Sequence, residues 1–402
     1  LVVEEMRIKT YSSKKSNFSE VLSDSKESIS ENANLIMLYA NSDHDWSSLS
    51  QSVAKEFPSS KVIGASSSRG FLSDAGNFFG SDFGMGIFSI EDFPGEIGVG
   101  YSTSKETSTL AREVCDRMLI SANREGEIPD FVWIITSPGK EEEILEEINQ
   151  YFGMNVNLCG GSCADNDIVG KWKMFNGADV FSNGCLLVGF FAQDEKILSS
   201  FQSGYFPTDK TAEVTKVDGR ELLELDGRPA FEVYNEWLGG KLNGVDLSVN
   251  PSITVNSTLS PLGRVRGKVH EIPYHLLSHP ERLTDNKGIR LFANVKEGEN
   301  LILMEGTQDD LQVRLAEVVK WQIERAQLSI DDIAGVLVVY CAGCMLALEG
   351  TNKINGITEE LKGVIGNKPF MAIHTFGEQG RFFEGGESLH GNLMVSASIF
   401  FR

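Results

Sequence analysis

The residues best suited to chemistry in this 402-residue chain lie in short polar turns that directly follow apolar runs. Asn41-Ser42-Asp43-His44 follows Leu35 to Ala40, and Ser66-Ser67-Ser68-Arg69-Gly70 follows Lys61 to Ala65. Thr136-Ser137-Pro138-Gly139 closes a third run. A fourth ends in Cys159-Gly160-Gly161-Ser162-Cys163-Ala164-Asp165-Asn166. In the second half, Cys341-Ala342-Gly343-Cys344 ends the run Val336 to Tyr340, and His374-Thr375-Phe376-Gly377-Glu378-Gln379-Gly380-Arg381 ends Phe370 to Ile373. His390-Gly391-Asn392 precedes the last apolar run. Glycine lets backbone approach a guest molecule, and hydroxyls, amides and carboxylates give directional bonds. Turns of this composition are also simply what connects elements at a surface.

The same residues bear on other chemistries. Cys341-x-x-Cys344 after a strand has the spacing of a thiol-redox pair, with close packing at a strand end as its alternative; the helix that would activate a thiol is expected to be delayed by Gly350 and Asn352. Zinc would need Cys159 and Cys163 to meet that pair. Met345 after Cys344 excludes the covalent haem pattern, which leaves His374 and His390 as axial candidates for non-covalent haem. His270, His275 and His279 are expected to face solvent. Gly160-Gly161-Ser162-Cys163-Ala164 lacks the immediate helix of a nucleophile elbow, because Lys171 to Phe175 reads as a hairpin arm. No catalytic constellation and no metal ligand set is assigned, and no cofactor is expected.

The elements that position these turns alternate between strand-like and helix-like periodicity, which predicts a mixed α/β chain. Residues 1–30, rich in Ser, Lys and Glu, are expected to be a mobile arm. Residues 31–205 and 206–402 then form two related domains with a repeated ββαβαββ order. Ile97 matches Leu301, Val114 matches Val318 and Phe131 matches Gly335 at one offset. Asp218-Gly219 marks a hairpin near the boundary, and Thr307 with Asp310 a helix-capping box.

Bulk composition bounds the partners. With 57 acidic against 36 basic residues the formal charge is −21, which repels nucleic acid and anionic lipid. Arg264, Arg266 and Lys268 form the densest basic cluster, too short for a nucleic-acid face. No apolar run approaches the roughly 20 residues that cross a bilayer. Six cysteines do not make a disulfide scaffold, so a reducing, cytoplasmic location is expected. The chain opens on Leu1 rather than Met, which leaves a preceding segment open.

Taken in order, these segments resemble the FIST family of paired N- and C-terminal sensory domains. The similarity rests on Val62-Ile63-Gly64-Ala65-Ser66, on Leu158 to Asp165 with the later Phe175-Asn176-Gly177, and on Val214 to Tyr234. Tyr340 to Gly343 and Thr375 to Gln379 extend it, so that it covers about residues 33 to 402. Cys344 stands where that family often has Arg, and His390-Gly391-Asn392 where it often has Asn-Gln-Thr. The resemblance implies a sensor of small molecules, with amino acids as proposed ligands, coupled to a separate signalling output protein; some relatives are haem-linked nitric-oxide sensors.

On this basis a ligand site is expected at Cys341, Gly343, Thr375, Glu378, His390 and Asn392. Ser66, Arg69, Ser162, Asp165 and Asn166 are the counterparts in the first half. Glu378 would pair an ammonium group, while Arg69 or Arg381 would fork onto a carboxylate. A thiol-redox enzyme built on Cys341 and Cys344 is the alternative.

Overall fold

A computed structural model describes residues 5–82, 84–192, 197–243, 251–269 and 271–402. His270, named in the sequence expectations, lies outside the described residues, as do Phe83, where a strand-like run begins, and the segment 248–250. In chain order the first elements are β1 (Arg7–Ser13), α1 (Phe18–Ser25), β2 (Leu35–Ala40), α2 (Trp46–Glu56), β3 (Lys61–Ser66), the hairpin β4 (Phe71–Ser73) and β5 (Gly76–Asn77), and β6 (Met85–Glu91). The same succession follows as β7 (Gly95–Ser102), α3 (Thr107–Ala122), β8 (Phe131–Thr136), α4 (Glu141–Phe152), β9 (Leu158–Ser162), β10 (Met174–Asn176) with β11 (Asp179–Phe181), and β12 (Cys185–Ala192).

A third round opens with β13 (Ile197–Ser203) and is then interrupted. The insertion comprises β14 (Phe206–Asp218), β15 (Glu221–Leu225), β16 (Arg228–Pro229), α5 (Ala230–Trp237), α6 (Thr254–Ser257), β17 (Leu262–Val269), β18 (Ile272–Ser278), β19 (Pro280–Leu283), β20 (Ile289–Leu291) and β21 (Asn300–Glu305). The round resumes with α7 (Gln308–Ala326), β22 (Ile333–Cys341), α8 (Ala342–Leu348), α9 (Lys353–Ile365), β23 (Phe370–Thr375), β24 (Glu378–Gly380), β25 (Leu389–Gly391) and β26 (Met394–Phe401).

Three six-stranded sheets result, with one strand order and one set of directions. They run β1-β6-β2-β3-β10-β11, β7-β12-β8-β9-β24-β25 and β13-β26-β22-β23-β4-β5. In each, the third and fourth strands are parallel and all other neighbours antiparallel. The small hairpins are exchanged in a cycle. The hairpin that follows β3 completes the third sheet, that after β9 the first, and that after β23 the second.

The cores follow from strand alternation. Met37, Tyr39, Trp133, Ile135, Leu337 and Val339 point into one core shared by the three sheets. Their sequence neighbours point outward under helix layers, such as Ile36 and Leu38 beneath α1 and α2. The insertion forms its own eight-stranded sheet and core around Val214, Leu222 and Tyr234.

Two expectations are corrected here. Of residues 1–30, the described residues 5–30 do not read as a mobile arm: β1 pairs with β6 along its whole length, Ile8 is buried, and Asn17 caps α1 through the Ser19 and Glu20 amides. An edge strand needs only one apolar face, so its composition looked like a linker. The twofold repeat is also replaced. Val114 with Val318 and Phe131 with Gly335 do occupy matching elements, but β13 is the counterpart of β7, whereas Leu301 belongs to the inserted sheet. The mixed α/β class, the Asp218-Gly219 hairpin and the Thr307–Asp310 capping box are as expected.

Candidate functional site

The parallel strand pairs end in a ring. Ala40 pairs with Ser66, Thr136 with Ser162 and Tyr340 with His374. Just past these positions the Ser68 amide donates to the His374 carbonyl at 3.0 Å. Phe376 donates to Ser162 at 3.2 Å, and Ala164 to Ser66 at 3.1 Å. The carboxyl ends of all three pairs therefore meet head to tail, where ligands collect in α/β sheets.

The three junctions are alike in backbone and unlike in chemistry. Against β3 the exchanged hairpin sets Met174 and Phe175; against β23 it sets Phe71 and Leu72. Against β9 the matching places hold Glu378 and Gln379, both fully buried. Buried polar groups are costly unless bonded, and two sister junctions pack without them.

On the helix-facing side of β24, Gln379 Nε2 donates to Ser162 Oγ at 3.0 Å and lies 3.2 Å from His390 Nδ1. Ser162 in turn donates to Glu141 Oε1 at 2.8 Å and touches Thr136 Oγ1 at 3.2 Å. The Arg220 guanidinium, reaching in from the β14–β15 turn, binds Glu141 at 2.6 Å and Glu142 at 2.8 Å. Asn294 donates its amide to Glu142 at 2.7 Å. Burial opposes the charge on Glu141, but the His390 ring and the Arg220 guanidinium more than offset it and hold the carboxyl at about 2. Glu141, Glu142 and His390 could offer ligand atoms to one cation within 4.8 Å. Arg220 already supplies the positive charge there, so a metal would have to displace it.

On the opposite side Glu378 accepts from Thr375 Oγ1 at 2.8 Å and from the Met394 amide at 2.9 Å. Among the described residues no cation faces it, and burial, with the Cys341 thiol beside it, pushes its carboxyl well above the ordinary range. Cys341, Gly343, Thr375 and Asn392 line one hollow of about 20 Å³, no larger than a water molecule requires. Asn392 ties it together, accepting from the His279 amide at 3.2 Å and donating to the Phe376 carbonyl at 3.2 Å.

Two larger clefts flank the polar junction. One, of about 670 Å³, lies between α4 and the strands β17 and β18 of the inserted sheet. Its walls carry Arg264, Arg266 and Lys296 on one side and Glu142, Glu143 and Glu146 on the other, with Asn294 and His390 between. The second, of about 280 Å³, sits over the strand ends and is lined by Glu141, Arg220, Trp172, Phe292 and Phe376. Arg220, bound to both glutamates, is part of the partition between them.

A FIST N domain matches residues 34–228 and a FIST C domain residues 230–381. The chain belongs to the FIST family. FIST domains are sensory domains of signal transduction. An uncharacterized protein, MJ1623, of Methanocaldococcus jannaschii is 29% identical over 140 residues, which is 35% of this chain; the chain spans about a quarter (26%) of that relative. Among solved structures, cyanuric acid hydrolase from A. caulinodans aligns over 98% of this chain and 99% of its own at 8% identity, with a TM-score of 0.38. A second cyanuric acid hydrolase structure aligns over 99% and 100% at 10% identity and a TM-score of 0.32.

Within this FIST chain the sequence candidates fall into distinct places. Cys341, Gly343, Thr375 and Asn392 share the hollow, Glu378 lies beneath Thr375, and His390 faces the larger cleft. Ser66 and Ser162 occupy equivalent strand ends, but Ser66 Oγ only accepts the Lys173 amide at 2.9 Å. The two arginines lie apart from these residues. Arg69 is paired with Glu349, and its amide binds Asn166 at 2.8 Å. Arg381 lies on a separate cleft beside Asp130 and Asn157. Glu378 is enclosed, with its oxygens engaged by Thr375 Oγ1 and the Met394 amide. Asp165 holds its own loop, accepting from the amides of Asp167, Ile168, Val169 and Lys171.

Two further expectations change. His279 is buried rather than solvent-facing, with Nε2 3.0 Å from the Thr254 carbonyl. The helix after Cys341 is not delayed, since α8 starts at Ala342 and Cys341 is its N-cap. Even so, burial and the neighbouring Cys344 raise the Cys341 thiol well above its usual value, the reverse of an activated thiolate. His374, one haem candidate, is buried with Nδ1 3.1 Å from the Ser68 carbonyl, and burial lowers it to about 4.

Sequence reasoning missed Glu141, Glu142, Arg220, Asn294 and Gln379. The turn Thr136 to Gly139 pointed at Glu141, two residues further on. Arg220 was invisible because its hairpin looked like a connector, and only the fold brings that hairpin to α4.

Proposed function

We propose that this chain is the ligand-binding part of a signal-transduction sensor, that its ligand is an amino acid, and that the ligand occupies the cleft against the junction of the second sheet. What carries this is the contrast between equivalent places: Met174 and Phe175, Phe71 and Leu72, but Glu378 and Gln379 at the junction where Gln379 lies against His390, which lines the cleft. The opposed charges of Arg264, Arg266 and Glu143, Glu146 suit a zwitterion, and about 670 Å³ accommodates one. The output protein is a separate chain, recognised by an unidentified surface. We also place the protein in a reducing compartment, in keeping with its six free, buried cysteines. No helix among the described residues is long and apolar enough to cross a membrane.

Calorimetric titration with the twenty amino acids tests this. Saturable binding by a subset is expected, and Gln150→Trp, which adds bulk at an exposed position of the cleft wall, should abolish it. Binding that survives Gln150→Trp unchanged would move the ligand elsewhere.

A further inference from the structure

Three side chains that line the same cleft each carry an enclosed nitrogen with no hydrogen-bond partner among the described residues: Nε of Arg264, Nε of Arg266 and Nε2 of His390. All three are donors. An arginine Nε always carries a proton, and a His390 Nδ1 that accepts from the Gln379 amide nitrogen leaves the ring's proton on Nε2. The nearest carboxylate to that proton, Glu141 Oε1, stands 3.9 Å away, beyond hydrogen-bond reach.

Arg264 is the least compensated of the three. Its side chain is 5% exposed and its guanidinium donates to the Ser278 hydroxyl. Glu299 is 3.7 Å from its Nε and is already engaged by Arg266 and by the Lys296 amide. Burial lowers Arg264 to about 10, the mark of a cation short of counter-charge. A buried cation and three orphan donors around one opening call for an anionic acceptor.

The far wall has the opposite need. Among the described residues Glu143 accepts from Thr107 Oγ1 and Glu146 from Gln150 Nε2, while Glu387 is exposed at the rim. Among the described residues none of these three carboxylates has a cationic partner. A ligand with one carboxylate and one ammonium would leave acidic groups unmatched.

We infer that the cleft selects a cationic amino acid, its α-carboxylate held by Arg264, Arg266 and His390, and its two cationic groups by Glu143, Glu146 and Glu387. This rests on the amino-acid site proposed above and adds the ligand class and the residues that read it.

Titration of the intact chain with L-lysine, L-norleucine, cadaverine and L-glutamate separates the terms. Norleucine lacks the side-chain amine and cadaverine the carboxylate. Lysine should bind at least about tenfold more tightly than either, and glutamate should not bind. Arg264→Gln and the more exposed Arg266→Gln should each weaken lysine by about tenfold or more and leave cadaverine unchanged. Because Arg264→Gln alters a buried site, Arg266→Gln and the ligand series on the unaltered chain stand independently of its folding. Norleucine or glutamate equal to lysine, or lysine binding untouched in both variants, overturns the inference while leaving a neutral amino-acid sensor standing. No binding by any amino acid overturns both.

Discussion

Arg220 and Glu141 meet at 2.6 Å with 11% and 2% of their side chains exposed, and through this contact the inserted sheet is tied to the first turn of α4. Removing one partner of a buried pair strands the other charge, at a cost of about 3–5 kcal/mol. Arg220→Met should therefore lower stability by that order in urea unfolding. The double variant Arg220→Met with Glu141→Gln should lose less than the sum of the singles, and strict additivity would refute a direct coupling.

Two buried glutamates should give opposite pH signatures. Glu141 is held at about 2, below the usual 4.5. Its contribution is complete above about 4.5 and lost as pH falls toward 2. Glu378 is raised, so the native state keeps a proton that the unfolded chain has released, and its effect on stability grows unfavourable as pH rises above 4.5. Glu378→Gln should accordingly match the parent near pH 4 and exceed it increasingly toward pH 8 in thermal unfolding. A variant whose deficit is constant across that range would show that the carboxyl is ionised.

Asp165 organises the loop that covers the strand-end hollow. Its carboxylate accepts from several amides, and Ile168 is drawn into the left-handed region at φ 58°, where a β-branched residue is strained. Asp165→Ala should cost about 2 kcal/mol and make residues 165–171 open to limited proteolysis. Ile168→Gly relieves the backbone and should be neutral or stabilising by up to about 1 kcal/mol. A large loss in Ile168→Gly would mean that the side chain, 41% exposed, matters more than the strain.

None of the six thiols should react promptly with a disulfide reagent in the native chain, and all should do so once it is unfolded. Fast labelling of Cys341 or Cys344, or turnover in an insulin-reduction assay, would restore the thiol-redox alternative.

Much of the secondary structure was legible because alternation of period 2 and period 3.6 is a local property. Leu35–Ala40 and Phe131–Thr136 are strands as read, the strand read at Phe370 to Ile373 runs on to Thr375, and Thr307 with Asp310 caps its helix as read. The hollow shared by Cys341, Gly343, Thr375 and Asn392 was foreseeable too, since strand ends and glycine turns mark where backbone leaves a sheet.

By itself the order of residues determined the elements, the polar turns and the family. Tertiary structure alone decided that the rounds number three, because about a hundred inserted residues separate β13 from α7 and hide the period. It also decided which junction is polar and what faces it. Gln379 is distinctive only once Phe175 and Leu72 are known to hold the same place in sister sheets, and Arg220 matters only where its hairpin reaches α4. Such relations join residues tens to hundreds of positions apart, and the burial that gives them their energy exists only when the sheets close on one another.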